Sequence, residues 1–294
     1  MSDPQTSGPP WTILKLLNWT TDFLTQRGSE TARLDAEYLL SHVLSLQRIQ
    51  LYTHFDRPLV GDELADYRAL VKRRASGEPI AYILGFREFW TLDLAVDPRV
   101  LIPRPDTETL VRAALARLDT DSPGRCLDIG TGSGAIALAL ASERPHLQIA
   151  ATDVSADALE VATANATRNN LDGRIHFLLS DLFEALGPEW NDLEIVVSNP
   201  PYIGERERPD LSYEVLDFEP GLALFSGDDG LVLIRRLITD ARKHLQPGGH
   251  LLLEIGHTQG PAVAALMEAA GFLQIEILQD YAQRDRVVAA HTPS

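Results

Sequence analysis

Two stretches of this 294-residue chain carry residue types at spacings that could do chemistry. The first runs Cys126-Leu127-Asp128-Ile129-Gly130-Thr131-Gly132-Ser133-Gly134, an apolar strand entering three glycines, followed by a helix over residues 135–141. Glycines permit a tight turn and let a ligand approach the backbone, and a helix start offers unpaired N–H groups. The spacing is G-x-G-x-G, not the G-x-G-x-x-G of a hydride-transfer dinucleotide site. Alone, the turn reads equally as a plain strand-to-helix connection. The next apolar run ends at Asp153, roughly twenty residues on, where an acid can take both ribose hydroxyls of a nucleotide. The other use for Asp153 is to cap the following helix, which Ser155 could already do. Asp181 ends the third run at the same edge, where ligands of open α/β sheets collect. It suits either an adenine amino group or an ordinary surface loop.

The second stretch is Ser198-Asn199-Pro200-Pro201-Tyr202. Its two prolines fix φ and donate no backbone hydrogen bond. The chain therefore leaves the sheet rigidly, with the Asn199 side-chain amide and the Pro200 carbonyl available as acceptors. Two fixed acceptors hold an amino group by both hydrogens and aim its lone pair at one point. Tyr202 offers a ring to pack on a planar group. Together with the glycine turn and Asp153, this suits methylation of a planar NH2 nitrogen, in an amide or in a nucleobase.

The elements that must position these residues are legible from periodicity. Strand-like runs lie at 126–129, 147–153, 175–180, 194–198 and 250–255, with helical stretches between them, notably 155–170 and 230–245. Such alternation predicts a doubly wound, mostly parallel sheet covered by helices on both faces. Runs at 272–281 and 286–291, joined by a short polar loop, predict an antiparallel C-terminal hairpin and make seven strands. The first eighty or so residues read as helices. Leu14, Leu17, Phe23 and Leu24 recur at helical spacing, as do Leu34, Tyr38, Leu39, Val43 and Leu44. A third helix opening at Gly61-Asp62 carries Leu64, Tyr67, Leu70 and Val71, and ends in Lys72, Arg73 and Arg74, a solvated basic end suited to the helix dipole. Residues 86–96 alternate at strand period and predict a β-hairpin joining two domains, before a helix opening near Asp106-Thr107. The expected organisation is a helical domain (1–84), a hairpin linker (85–105) and an α/β domain (106–294).

Composition sets bounds on partners. Lys and Arg total 26 against 42 Asp and Glu, a formal net charge of −16. So acidic a surface repels phosphate backbones and favours basic partners. The single cysteine, Cys126, lies within the first strand and reads as a core residue; His146, His257 and the other histidines form no ligand constellation, so no metal is expected. Residues 1–10 are polar and proline-rich without a signal-peptide pattern, and no apolar run suits a bilayer span. A reduced cytoplasm is the expected compartment. Three further groups stay open: Arg104 and Glu108 suit a salt bridge and helix cap or a place at the site, and Glu254 suits a buried structural acid or a substrate contact.

The glycine turn and the Asn-Pro-Pro-Tyr segment together resemble those of class I S-adenosylmethionine-dependent methyltransferases, specifically the amino-methylating group. More narrowly, FREFW (86–90), LIPRPDTETLV (101–111), DIGTGSGAIALALA, VSNPPYI, GG.LLLEIG..Q and DY..RDRVV are similar to release factor glutamine methyltransferases, over about residues 10 to 290. The resemblance implies transfer of a methyl group from S-adenosylmethionine, leaving S-adenosylhomocysteine, to the glutamine side-chain nitrogen of the Gly-Gly-Gln motif in class 1 peptide chain release factors. It implies cofactor binding by Asp128, Gly130, Thr131, Gly132, Ser133, Gly134, Asp153, Asp181, Leu182 and Asn199. Asn199, Pro200, Pro201 and Tyr202 would hold the substrate, with Asn199, Pro200 and Tyr202 at the chemistry. One departure is Leu182, where some relatives carry an aromatic residue that would stack on adenine. A monomer acting on a protein, without direct nucleic-acid or membrane contact, is expected. The competing readings are a methyltransferase of exocyclic amines in RNA or DNA bases, which the net charge disfavours, and a catalytically silent cofactor-binding module, for which an amine-holding loop has no use.

Overall fold

A computed structural model describes residues 10–121 and 123–294; the expectation about the first ten residues falls almost wholly outside them. The chain divides into two compact units, Met1–Gly85 and Phe86–Ser294.

The first unit is helical: α1 (Ile13–Thr25), α2 (Ala32–Leu44), α3 (Arg48–Thr53), α4 (Gly61–Ala75) and α5 (Ile80–Leu84). Its core gathers Leu16, Leu17, Ala36, Leu39, Leu40, Tyr67 and Val71. The buried faces of α1 and α2 match the sequence expectation in part, with Leu17, Leu24 and Leu39 buried as expected. Leu14, Leu34 and Tyr38 are exposed, while Ile13, Thr20, Ala32 and Ala36 are buried. The basic end of α4 is paired: Arg73 meets Glu78 at 2.6 Å and Arg74 meets the buried Asp35 at 2.7 Å.

The second unit opens with an antiparallel hairpin, β1 (Phe86–Phe89) and β2 (Leu92–Ala95). There follow α6 (Glu108–Leu115), β3 (Arg125–Ile129), α7 (Ala135–Glu143), β4 (Gln148–Asp153), α8 (Ala156–Arg168), β5 (Ile175–Leu179), β6 (Leu193–Ser198), α9 (Tyr213–Phe218), α10 (Val232–His244), β7 (Leu245–Glu254), α11 (Gly260–Ala269), β8 (Leu273–Gln279) and β9 (Asp285–His291). The seven-stranded sheet has the order β5-β4-β3-β6-β7-β9-β8. Neighbours pair in parallel from β5 through to β7, and β9 runs antiparallel to both β7 and β8. The doubly wound sheet with its antiparallel C-terminal hairpin is therefore as expected.

Pleating explains the unbroken apolar strands. Cys126, Ile149, Ile195 and Leu252 face a layer containing α6, α7 and the hairpin residues Phe89, Leu92 and Leu94. Their neighbours Leu127, Ala150, Val196 and Leu251 face the opposite layer of α10 and α11. A strand covered on both faces needs apolar residues at every position. Order reverses at β3, whose neighbours are β4 and β6. Ligand crevices form outside the carboxyl ends of strands at such a switch point.

The hairpin is held to α8 by two side-chain amides acting as a substitute strand. Asn165 accepts from the Ala95 N–H at 2.6 Å and donates to the Ala95 carbonyl at 3.0 Å. One helical turn on, Asn169 does the same for Asp93, at 3.3 and 3.0 Å. The second hydrogen of the Asn165 amide reaches the Ser133 carbonyl at 2.9 Å, tying the hairpin to the glycine turn.

Candidate active site

At the end of β3, Gly130, Gly132 and Gly134 all take positive φ (70°, 55° and 83°). Added Cβ atoms at Gly130 or Gly132 would meet nothing within 4 Å, so this backbone leaves an open cradle. Gly134 differs: its Cβ would lie 3.0 Å from Leu138 and 3.3 Å from Ala162, where α7 packs on α8. Gly130 and Thr131 donate to the Thr152 carbonyl at 2.8 and 3.0 Å, which fixes the turn to the end of β4.

Two aspartates hold the cradle. Asp153 accepts from the Gly132 N–H and from the Ser155 N–H, both at 2.9 Å, while Ser155 caps α8 through the Ala158 N–H at 3.1 Å. The cap is thus the work of Ser155, and Asp153 faces the cavity. Asp128 is fully buried and accepts from the Thr131 hydroxyl at 2.7 Å and the Ala137 N–H at 3.2 Å. Burial pushes its carboxyl up to about 7, and its Oδ1 has no partner.

Beyond the cradle opens a cavity of about 500 Å³, within the ordinary range for small-molecule sites. Its wall includes Gly130, Thr131, Gly132, Ser133, Asp153, Asp181, Leu182, Asn199, Pro200 and Pro201. Asp128, Gly134 and Tyr202 are not on it. The first two lie beneath the turn. Tyr202 belongs to the apolar layer under α10 and α11, with its carbonyl accepting from Gln259 Nε2 at 2.8 Å. Burial and the nearby Glu254 carboxyl raise its hydroxyl above the ordinary tyrosine range. Asp181 pairs with Arg236 at 2.9 Å in an exposed bridge, and Leu182 is buried with φ +53°.

Asn199 leaves the end of β6 with its Nδ2 donating to Thr107 Oγ1 at 3.2 Å. Ser198 Oγ donates to the Ile129 carbonyl at 2.7 Å, joining the ends of β6 and β3. Glu254, buried at the end of β7, has its carboxyl pushed up to about 7 by burial, and its Oε2 has no hydrogen-bond partner among the described residues. Arg104, on the cavity wall, pairs with buried Glu219, whose other oxygen accepts from the Ile102 N–H at 3.3 Å. Glu108 pairs instead with Arg112, at 3.6 Å. Sequence reasoning assigned no site role to Thr107, Glu219, Gly230 or Gln259, although all four stand in stretches that carry the family resemblance, Glu219 and Gly230 in FEP..AL..G.DGL. Gly230 had a visible signal in its Asp-Gly-Leu setting: it takes φ +73°, and a Cβ there would lie 2.0 Å from the Tyr202 carbonyl oxygen.

Comparison with known proteins shows the family of the chain. Residues 15–85 match the family described as PrmC N-terminal domain, and residues 107–217 the methyltransferase small domain. The release factor glutamine methyltransferase of Rhodopirellula baltica is 42% identical over 286 residues, 95% of this chain and 96% of that one. That of Xylella fastidiosa (strain Temecula1) is 49% identical over 261 residues, covering 89% of this chain and 94% of the relative. The chain belongs to the release factor glutamine methyltransferase family. A methyltransferase from Pyrococcus furiosus shares the fold, with a TM-score of 0.53 at 17% identity over 78% of this chain and 100% of that one. In this release factor glutamine methyltransferase, no helix among the described residues is long and apolar enough to cross a membrane. Nor, among them, is any group of three or more His, Cys, Asp or Glu placed to hold a metal ion.

Proposed function

We propose that this enzyme transfers a methyl group from S-adenosylmethionine to the side-chain amide nitrogen of the glutamine in the Gly-Gly-Gln motif of class 1 peptide chain release factors. The observation that carries the reading is Asn199, pinned through its nitrogen to Thr107 beside a cavity that also opens on the glycine cradle. With Nδ2 occupied, its Oδ1 is left as an acceptor.

The residues present fit the cofactor. Gly130 and Gly132 leave space that a Cβ would fill; Asp153 stands on the cavity wall within reach of ribose hydroxyls, and Asp181 and Leu182 line the same cavity for an adenine. When bound, S-adenosylmethionine supplies an electrophilic methyl on a sulfonium leaving group. The protein's part is to present the nucleophile. An amide nitrogen shares its lone pair with the carbonyl, an overlap reflected in a rotation barrier of roughly 18–20 kcal/mol. Two hydrogen bonds donated by the substrate NH2, to Asn199 Oδ1 and to the Pro200 carbonyl, contribute roughly 0.5–1.5 kcal/mol each and do not undo it. Their value is aim, since in-line positioning can contribute up to about 7–11 kcal/mol. No strong base is needed, because the nitrogen can lose its proton after methyl transfer. Asp128, Gly134 and Tyr202 support the two loops from behind.

We read residues 1–84 as the part that grips the protein substrate and 85–105 as the connector, in a cytoplasmic monomer with no direct nucleic-acid contact. The net charge of −16 supports a basic protein partner, whose encounter it would speed. The test is mass spectrometry of a purified release factor incubated with the enzyme and S-adenosylmethionine. One methyl on the Gly-Gly-Gln glutamine is expected, with turnover falling far more than cofactor affinity in Asn199→Ala. Label appearing in RNA or DNA instead, or loss of cofactor binding as the main effect of the substitution, would overturn the reading.

A further inference from the structure

The side chain of Gln259 is not spent on the helix that it precedes. It stands at the N-terminus of α11 yet makes no capping bond there. Its carboxamide points back instead: Oε1 accepts from the Gly256 N–H at 2.9 Å, and Nε2 donates to the Tyr202 carbonyl at 2.8 Å. Both neighbours fix which way round the amide lies, since a flip would set N–H against N–H and oxygen against oxygen. Gly230 closes on the same carbonyl, because a Cβ there would lie 2.0 Å from the Tyr202 oxygen and 2.9 Å from Gln259 Nε2. Three separate stretches therefore meet at this one carbonyl: the link from β7 to α11, the Asp-Gly-Leu turn before α10, and the Asn-Pro-Pro-Tyr segment.

We propose that Gln259 is a positioning residue for the Asn-Pro-Pro-Tyr segment: by holding the Tyr202 carbonyl it fixes the direction in which the Pro200 carbonyl faces the cavity. The proposal rests on the acceptor role given to Pro200 above. Pro200 and Pro201 have no N–H by which a neighbouring element could hold them. The chain is held on either side of them instead. Before them, Ser198 Oγ donates to the Ile129 carbonyl and Asn199 Nδ2 to Thr107 Oγ1. After them comes the Gln259 bond, and then Ile203, which donates to the Leu224 carbonyl and accepts from the Ser226 N–H, both at 3.0 Å. With φ locked at both prolines, few torsions separate the Pro200 and Tyr202 carbonyls, so a restraint on the second reaches the first. Pro200 and Pro201 stand on the cavity wall and Tyr202 does not, so Gln259 acts on the site through the backbone.

Gln259→Met keeps the length and removes both hydrogen bonds. Its kcat on a release factor is expected to fall about tenfold, the worth of one hydrogen bond, with S-adenosylmethionine affinity by calorimetry within about twofold of wild type. Gln259→Glu separates the donor from the shape. Its protonated carboxyl can donate to the Tyr202 carbonyl, whereas its ionised form sets oxygen against oxygen. The ratio of its kcat to that of wild type should therefore fall as pH rises from about 5.5 to about 8.5, while the ratio for Gln259→Met stays level. The charged and titratable groups around the position are Glu254 and His257 at the end of β7, Asp285 and Arg286 on β9, Tyr202, and Asp229 beside Gly230. All are shared with wild type, so the ratio reports residue 259. Unchanged kcat in Gln259→Met, a Gln259→Glu ratio flat with pH, or cofactor affinity lost in step with kcat would each overturn the proposal. Were the wild type inactive on release factors, the functional reading would fail while the positioning could still be judged by hydrogen exchange. Relative to wild type at the same pH, the Ile203 amide should exchange faster in Gln259→Met, and in Gln259→Glu only at the higher pH. Exchange indifferent to both substitutions would refute the positioning by itself.

Discussion

Asn165 and Asn169 make the same pair of hydrogen bonds to the same hairpin, one helical turn apart, and differ in burial. Asn165 is wholly buried, and Asn169 serves the exposed Asp93. Asn165→Ala strands three backbone groups: the Ala95 N–H and carbonyl and the Ser133 carbonyl. At roughly 1–3 kcal/mol for each buried polar group left unpaired, a fully dry site would lose about 3–9 kcal/mol. Ala95 is only half-buried, so water can replace its two bonds, and the loss reduces to the Ser133 carbonyl plus the space left by the amide. That amounts to about 2–4 kcal/mol. Asn169→Ala exposes its partners to solvent and should cost less than about 1 kcal/mol. Urea unfolding of the whole chain measures both, and hydrogen exchange at Ala95 shows whether the hairpin has loosened locally. Because Ser133 lines the cavity, Asn165→Ala should also weaken S-adenosylmethionine binding in calorimetry, and Asn169→Ala should not. Equal costs for the two substitutions would refute the reasoning, which depends on the burial of Asn165 and on its extra bond to the Ser133 carbonyl.

Three further outcomes are expected. Asp128 and Glu254, buried and pushed up to about 7, hold protons in the folded chain that the unfolded chain releases near the ordinary carboxylate values. Between about pH 4 and 7 the folded state therefore binds more protons and stability falls as pH rises; urea midpoints should show a shallower decline in Asp128→Asn, and an unchanged slope would rule Asp128 out. Gly230→Ala forces a side chain into positive φ and to 2.0 Å from the Tyr202 carbonyl oxygen. It should displace the Asn-Pro-Pro-Tyr segment and lower kcat by at least about tenfold, with S-adenosylmethionine affinity by calorimetry near wild type. Finally, Asp181→Ala should weaken that affinity about tenfold, the worth of one hydrogen bond to a charged group. Arg236→Ala, which removes the exposed partner of Asp181 on the same cavity wall, should change stability by less than about 1 kcal/mol.

The strands of the sheet were legible because burial on both faces leaves a continuous apolar run that needs no partner to be recognised, as at Leu193–Ser198. The glycine turn and Asp153 were legible because their chemistry is local: positive φ at three glycines, and an acid at a strand end. The buried faces of α1 and α2 were legible in part: Leu17, Leu24 and Leu39 are buried, but Leu14 and Leu34 satisfy helical spacing as well as Ile13 and Ala36 do, and only the fit between helices selects among them. The support of the site was hidden for a stronger reason. Thr107 meets Asn199 across 92 residues of sequence, Asn165 meets Ala95 across 70, and Gln259 meets Tyr202 across 57. A threonine opening a helix, an asparagine inside one and a glutamine beside a turn all have ordinary local uses.

That division has a physical origin. Contact with a ligand's phosphate-free edges and amino groups requires backbone freedom and acceptors at strand ends, which a short motif can encode by itself. Orienting a side-chain amide requires a partner from another element that approaches from the side. For Asn199 that partner is Thr107, from the segment before α6. The groups proposed to touch substrate are therefore clustered in sequence, and the groups that support them are dispersed. Substitutions that displace the Asn-Pro-Pro-Tyr segment should accordingly alter kcat at nearly constant cofactor affinity, as predicted for Gly230, whereas those at Asp153 should alter affinity first.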